Sequence, residues 1–165
     1  MGMDIATWVE TKINGKWIDS NKQIFKQEFF GLTASPFSWR SYSMAAIFGN
    51  DISFKNKFLK ISELKGFPTD SEYLNTKLSS PIRHSYSYYD NGTAYTKKED
   101  LELDIKNFGF SYITLKELLS FDYDAKILDK DETHREWLSE EYFEHLELLK
   151  TLGEPDDVRI VFYFD

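Results

Sequence analysis

The chain has 165 residues, of which 17% are aromatic and none is cysteine, and its formal net charge is −8. This length suits one domain that buries a core without covalent staples, and the lack of cysteine excludes disulfides, thiolate metal sites and a cysteine nucleophile. Acidic Asp4 and Glu10 interrupt the first ten residues, and no run approaches the roughly 20 apolar residues that span a bilayer, so we predict a soluble, cytoplasmic domain over residues 1–165.

The amino-terminal residues have the pattern of a β-hairpin. Residues 3–13 alternate with β-prone side chains, and Asn14-Gly15 supplies two positive-φ positions before a second strand at residues 16–18. Residues 23–30 predict a further extended segment, which Gly31 interrupts.

Two helices are predicted in the next part of the chain. Good helix formers with apolar spacing predict one over residues 39–48, ended by Gly49-Asn50. Thr69, with Glu72 three residues on, has the spacing of a capping box, which predicts a second helix running to about Leu78.

A polar hairpin is predicted in the middle of the chain. Serine and aromatic residues intermingle over residues 84–89, and Asp90-Asn91-Gly92 predicts a turn before a strand at residues 93–96. Residues 97–104 are highly charged and fit a loop or an edge strand, and residues 108–113 predict another strand.

The carboxy-terminal part alternates helix and strand. Thr114 and Glu117 repeat the capping-box spacing, which predicts a helix ending near Ser120. The longest helix is predicted over residues 132–149, with an apolar stripe of Trp137, Leu138, Tyr142, Leu146 and Leu149. Residues 158–164 predict a strand inside a sheet, because they are apolar on both faces. These elements indicate an α+β fold, in which a mainly antiparallel sheet contains the amino-terminal hairpin and the carboxy-terminal strand and packs against a few helices.

Charge is distributed unevenly along the chain. Residues 1–98 hold 13 lysines and arginines against 9 acidic residues, whereas residues 99–165 hold 7 against 19. The acidic excess disfavours general nucleic-acid binding, and the sequence predicts no membrane association.

The usual enzyme signatures are absent, including phosphate-binding and dinucleotide glycine loops, the nucleophile elbow and the metalloprotease helix. We therefore expect no cofactor. His134 and His145 lie eleven residues apart with Glu141 between them, and such a row either ligates a divalent metal or belongs to a solvated helix face. We favour the solvated face and expect no tight structural metal.

Two arginines are candidates for binding an anion. Arg40 stands among aromatic residues beside Tyr42, and its guanidinium suits a carboxylate or phosphate, although it could equally anchor an internal acid. Arg159 is the only base in its strand, where burial would require a partner. Asp4 and Asp165 are candidate partners, and we favour structural pairing over ligand binding for this residue.

A third candidate region lies on the polar hairpin. His84, Ser85 and Ser87 concentrate hydrogen-bonding side chains among rings, which suits a polar, partly planar ligand. The same alternation is typical of an ordinary half-buried strand, which pattern alone favours.

Several ordered patches of the chain resemble a known family. They include Arg40-Ser41-Tyr42-Ser43, Gly66-Phe67-Pro68, the Ser-Tyr-Ile-Thr-Leu-Lys-Glu-Leu run at residues 111–118 and the Asp-Val-Arg-Ile-Val-Phe-Tyr-Phe-Asp run at residues 157–165. Together they resemble a family of small uncharacterised proteins of bacteriophages, prophages and bacteria. The resemblance implies a phage or prophage context and no established activity.

The family's pattern also bears on candidate residues. An arginine-aromatic pair of the family resembles Arg40 and Tyr42, and a histidine-serine element of the family tends to precede the Ser-Tyr-Ile-Thr-Leu patch. Here Asn107-Phe108-Gly109-Phe110 stands in that place, so that His84 on the neighbouring hairpin is the histidine left to substitute for it.

Three classes of function follow from these patterns. The favoured one is a non-enzymatic binding protein that captures a host protein or a small anionic ligand, for which a nucleotide derivative is one candidate. The phage context suggests a role in counter-defence. A small hydrolase would use His84 as general base with Asp4 or Asp122 as the orienting carboxylate. An oligomeric structural or interaction protein would use the aromatic excess at its interfaces.

Overall fold

The computed structural model describes residues 5–20, 28–29, 32–33, 36–37, 40–49, 57–72, 88–90, 93–95, 99 and 110–164. Its strands are β1 Ile5–Ile13, β2 Lys16–Asp19, β3 Glu28–Phe29, β4 Leu32–Thr33, β5 Tyr88–Asp90, β6 Thr93–Tyr95, β7 Ser111–Thr114 and β8 Val158–Phe164. The α-helices whose bounds lie within the described residues are α1 Tyr42–Ile47, α2 Leu115–Ser120, α3 His134–Trp137 and α4 Glu140–Lys150, and a 3₁₀ turn covers Pro155–Asp157.

The central sheet has the strand order β2-β1-β8-β7, with every neighbouring pair antiparallel. The β1–β2 turn places Asn14 at φ 51° and Gly15 at φ 78°, the two left-handed positions that a tight hairpin requires. β8 lies between β1 and β7, as its two apolar faces predicted. The predicted α+β fold, with hairpin and carboxy-terminal strand in one antiparallel sheet, is confirmed.

The main core fills the space between one face of this sheet and the helices. Alternate residues of the strands, including Val9, Ile160 and Phe162, pack against apolar residues of α1, α2 and α4. The opposite face carries a smaller cluster of Trp8, Phe110, Val161 and Tyr163, with Phe67 packed against it. Both faces of the sheet therefore bury aromatic side chains.

Helix α2 begins where the sequence predicted. The Thr114 hydroxyl accepts from the Glu117 backbone N–H at 3.2 Å, and the Glu117 carboxylate accepts from the Thr114 backbone N–H at 2.8 Å. This reciprocal capping box satisfies two backbone donors that a helix start leaves without partners.

The predicted long helix over residues 132–149 is wrong, because the structure has two helices there. Leu138 at ψ 145° and Ser139 at ψ 160° are extended, and they separate α3 from α4. A second capping box, between Thr133 and Glu136, starts α3, and acidic Glu140 and Glu141 open α4. The break turns Leu138 into the core and leaves Trp137 partly exposed.

Other predicted elements are shorter than expected or lie partly outside the described residues. The helix predicted from Thr69 does not start there, because residues 69–70 form a turn and Ser71 bridges to Trp17, and in the described part only Glu72 is helical, in a 3₁₀ conformation. In the segment predicted over residues 23–30, only β3 is described as strand, and it pairs with β4. β5 and β6 form the predicted polar hairpin, and β7 starts three residues later than predicted. No helix among the described residues has the length and apolar character needed to cross a bilayer.

The histidine of α4 ties this helix to the segment before α1. The Phe37 backbone N–H donates to His145 Nδ1 at 3.1 Å, which requires an unprotonated Nδ1. Burial lowers the pKa of His145, and this effect outweighs the opposing influence of Glu141 and Glu144. The neutral imidazole therefore stabilises the fold.

We expect stability to fall on acidification below pH 6.5, the ordinary pKa of histidine. With the native pKa lowered, the contribution of His145 is fully present above 6.5 and is lost as the pH falls through the native value. Urea melts across this window should show a shallower pH dependence for His145→Gln, whose amide oxygen can accept from Phe37 without titrating. Equal slopes in the two proteins would contradict this role.

Candidate functional site

Of the predicted ligand-binding residues, the structure describes Arg40, Tyr42 and Arg159, and the first two lie at the start of α1 while Arg159 lies on β8. Arg40 is exposed just before α1, and Tyr42 is half-buried in the first turn of that helix. The Ser41 hydroxyl caps α1 by accepting from the Met44 N–H at 3.2 Å. His84, Ser85 and Ser87 lie outside the described residues, as do Asp4 and Asp165. The role of Arg40 in recognition stays a prediction.

Arg159 lies inside a buried polar network on the sheet face opposite the helices. Its Nε donates to Glu10 Oε1 at 2.8 Å, and its Nη1 donates to Asp70 Oδ1 at 2.9 Å. The guanidinium carbon lies 4.0 Å from the centroid of the Trp17 ring. Arg159 is only 3% exposed, so its guanidinium is buried against these partners. This is the structural pairing that we favoured from the sequence.

A surface segment over residues 57–61, here called the strap, crosses beside α1 and α3. Three backbone hydrogen bonds hold it: the Leu128 N–H donates to the Lys57 carbonyl at 3.0 Å, the Leu59 N–H to His134 Nε2 at 2.9 Å, and the Ile61 N–H to the Ile47 carbonyl at 2.9 Å. Each bond reaches a different element. Tertiary contacts therefore fix the strap.

The strap forms one wall of a cleft of 320 Å³, here called the Trp137 cleft. The other walls come from α1, from α3 and from the loop between α2 and α3. The residues that line it are Tyr42, Ser43, Lys57, Phe58, Ile127, Lys130 and Trp137. Mainly apolar and aromatic walls with a few polar groups are typical of small-molecule sites, and the volume lies at the lower end of their usual range.

Trp137 is held in one orientation on this wall. Its indole N–H donates to Glu132 Oε2 at 3.0 Å, and its ring meets the Phe58 ring edge-on at 84° with a centroid separation of 5.7 Å. The side chain nevertheless remains 40% exposed. A large fixed ring that is partly open to solvent is a ready contact surface for a ligand.

Two ammonium groups give the cleft its charge. Lys130 Nζ lies 4.8 Å from the Trp137 ring centroid and 3.9 Å from Glu132 Oε2. Lys57 is exposed, and within the described ranges its ammonium enters no ion pair or hydrogen bond. One cation is thus partly compensated, and the other is available to an anion.

His134 corrects the interpretation of the histidines as a solvated helix face. It is fully buried, with Nε2 accepting from the Leu59 N–H and Nδ1 lying 2.6 Å from the Ala125 carbonyl oxygen. The first bond assigns the proton to Nδ1, which donates to Ala125. His145 lies on the next helix beyond the break, so the three-turn row with Glu141 does not form. Among the described residues, no three histidine or acidic side chains form a group that could hold a metal.

We expect His134→Leu to lower the free energy of unfolding by about 1–3 kcal/mol, because the Leu59 N–H loses its acceptor. His134→Gln can present an oxygen near the former Nε2 and should recover part of the loss. Denaturant melts measure both values. Trp137 emission should shift in His134→Leu, since the strap carries Phe58, which packs on that indole. Full stability in His134→Leu would show that the strap does not depend on this bond.

A second, larger and more open cleft lies on the other side of the strap. It encloses 590 Å³, and Glu63, Glu117 and Asp122 are among its lining residues. Asp122, the candidate orienting carboxylate of a hydrolase, is exposed and accepts from the Asp124 N–H at 3.1 Å, which is a local turn contact. Glu117 is engaged by Lys65 at 2.7 Å, and that contact helps to lower its pKa although desolvation opposes it. These groups have structural partners.

The residues that define the Trp137 cleft were not singled out from the sequence, except Tyr42. Trp137 was assigned to the apolar stripe of one helix, and Lys57 and Lys130 fell in segments without a predicted element. A local signal exists for part of the site: Lys130, Glu132 and Trp137 lie close in sequence, on either side of the Thr133 cap. Lys57 and Tyr42 carry no such signal.

No protein-family model matches this chain, and no curated protein or solved structure shows significant similarity to it.

Proposed function

We propose that the protein is a non-enzymatic binding protein that captures a small anionic ligand in the Trp137 cleft. The observation that carries the proposal is the combination of two lysines with an aromatic lining in one cleft of an acidic protein. Partial exclusion of water by the rings strengthens the attraction between an ammonium and an anion. The resemblance to phage proteins adds a proposed setting, in which such capture would act against a host pathway.

Binding is favoured over catalysis by the chemistry of the lining residues. The described residues of the lining include no histidine, carboxylate or arginine, and none of them is an obvious general base. The hydroxyls of Tyr42 and Ser43 can orient a ligand by hydrogen bonds, and Ile127 and Phe58 can exclude water from it. These groups are suited to holding a ligand in place.

The proposal can be tested with 1-anilinonaphthalene-8-sulfonate, a fluorescent aromatic anion. We expect saturable binding that weakens at least tenfold in Lys57→Gln/Lys130→Gln. The matched control is Lys116→Gln/Lys150→Gln, which removes the same charge from α2 and α4, where these lysines pair with Asp156 and Glu147. Equal affinity in the two double variants would refute the cleft as an anion site.

A further inference from the structure

We infer that the ligand class of the Trp137 cleft is the nucleoside monophosphate, a planar heterocycle joined to a single phosphate. The inference rests on the proposed function, and it adds which two chemical groups the ligand carries and how they are arranged. It follows from the position of Lys130 over the indole, from the two lysines of the lining and from the volume of the cleft.

The charge of the lining favours a phosphate over a carboxylate. Among the described residues of the lining, the two basic ones are lysines, which bind phosphate as point charges. A phosphate monoester carries about −1.5 to −2 charges at pH 7, which matches two ammonium groups better than a monoanion does. Lys57 and Lys130 are thus suited to one dianionic group.

The fixed indole supplies the contact for a ring. Trp137 is oriented by Glu132 and by the edge of Phe58, so stacking on it costs little conformational entropy. Lys130 Nζ lies 4.8 Å from the centroid of this indole. The ammonium thus lies over the ring, and a base that stacks there takes its place while Lys130 turns to the phosphate of the same molecule.

Charge and volume limit the size of the ligand. Asp131 and Glu132 follow Lys130 directly on the same loop, and Glu132 Oε2 is 3.9 Å from the ammonium. The charges of a triphosphate would exceed those of the two lysines and approach these carboxylates. A cleft of 320 Å³ is also at the small end of ligand sites. We therefore expect a monophosphate to bind better than a triphosphate or a nucleic-acid strand.

The test compares ligands that carry one or both groups. Isothermal titration should give a Kd for AMP at least tenfold lower than for adenosine, which lacks the phosphate, and for ribose 5-phosphate, which lacks the base. ATP and a 5′-phosphorylated oligonucleotide should bind more weakly than AMP, and UMP should bind within the same range as AMP.

Variants assign each half of the ligand to its residue. Trp137→Leu should reduce AMP binding to the level of ribose 5-phosphate, and Trp137→Phe, which retains a ring and guards against misfolding, should keep part of the affinity. Lys57→Gln/Lys130→Gln should reduce AMP binding to the level of adenosine, while Lys116→Gln/Lys150→Gln should not.

The outcomes separate this inference from the proposed function. If AMP binds no better than its two fragments, or if ATP or the oligonucleotide binds better, while the anilinonaphthalene probe still depends on Lys57 and Lys130, the nucleotide class is wrong and the anion site stands. If neither AMP nor the probe responds to removal of these lysines, both proposals are wrong.

Discussion

Glu10→Ala is expected to lower the free energy of unfolding by about 3–5 kcal/mol, because it leaves Arg159 buried without its main counter-charge. Glu10 is fully buried and receives hydrogen bonds from three side chains. Arg159 Nε donates at 2.8 Å, Trp8 Nε1 at 3.3 Å, and the Ser71 hydroxyl also donates. Asp70 would remain beside the guanidinium, but its side chain is 64% exposed and offers a screened charge.

We expect that apolar residues can replace Glu10 and Arg159 together with little loss of stability. Desolvation by burial raises the pKa of Glu10 even though Ser71, Arg159 and Trp8 act to lower it. The ionised carboxylate thus carries a desolvation penalty that its partners do not fully offset, and Nη2 of Arg159 is buried with no hydrogen-bond partner among the described residues. Glu10→Leu/Arg159→Met should therefore recover most of the loss seen in Glu10→Ala.

Urea melts of the two variants and the wild type measure both effects. Because burial raises the native pKa of Glu10, the proton-linked part of its contribution is fully present below 4.5, the ordinary pKa of glutamate, and is lost as the pH rises through the native value, whereas the pairing with Arg159 belongs to the ionised form. The double variant should lack this pH dependence. A Glu10→Ala protein as stable as the wild type would show that the network does not hold the segment around Asp70 and Ser71 to the sheet.

The register between β1 and β8 explains why the sequence predicted the hairpin and the sheet but not the partner of Arg159. Alternation and the Asn14-Gly15 turn are local patterns, and they sufficed to predict the hairpin and its sheet with β8. The partner of Arg159 depends on register: Glu10 lies directly opposite it in the β1–β8 ladder. Pattern alone does not fix register between strands that lie almost a whole chain apart, so the candidate partners Asp4 and Asp165 missed the residue that the ladder places there.

The candidate site was less predictable, because its walls are brought together by contacts between distant residues. His134 binds the strap 75 positions away, and nothing near His134 in sequence reveals that acceptor. A uniform helical periodicity over residues 132–149 also concealed the break at Leu138. Since Ser139 starts a new helix, Trp137 leaves the apolar stripe and faces the cleft.

Tyr142→Ala is expected to cost about 3–5 kcal/mol of stability, since it removes a fully buried ring from the centre of the main core. The ring centroid lies 4.6 Å from Phe37, 5.2 Å from Phe143 and 5.6 Å from Tyr123. Truncation would leave these three rings around a cavity. It would also separate α4 from the segment that leads into α1, because Phe37 belongs to that segment.

Tyr142→Phe isolates the hydroxyl from the ring. The Tyr123 hydroxyl donates to the Leu118 carbonyl at 2.8 Å, so at the 2.8 Å contact between the two phenols Tyr142 is the donor. Tyr142→Phe removes that donor and leaves Tyr123 with its own acceptor, which should cost only about 1 kcal/mol. If Tyr142→Phe and Tyr142→Ala lost equal stability in denaturant melts, the hydroxyl and not the packing would dominate.

Alkaline titration gives an independent measurement of the same pair. Burial raises the pKa of Tyr123 to about 12 and that of Tyr142 well above its ordinary value. With both native values raised, their contribution to stability is fully present below pH 10 and is lost as the pH rises through the native values. Absorbance at the phenolate band should therefore show these two tyrosines ionising only with unfolding, and Tyr142→Phe should remove one of the two late-titrating groups. A wild-type protein whose tyrosines all ionise near pH 10 while it remains folded would contradict the burial of this pair.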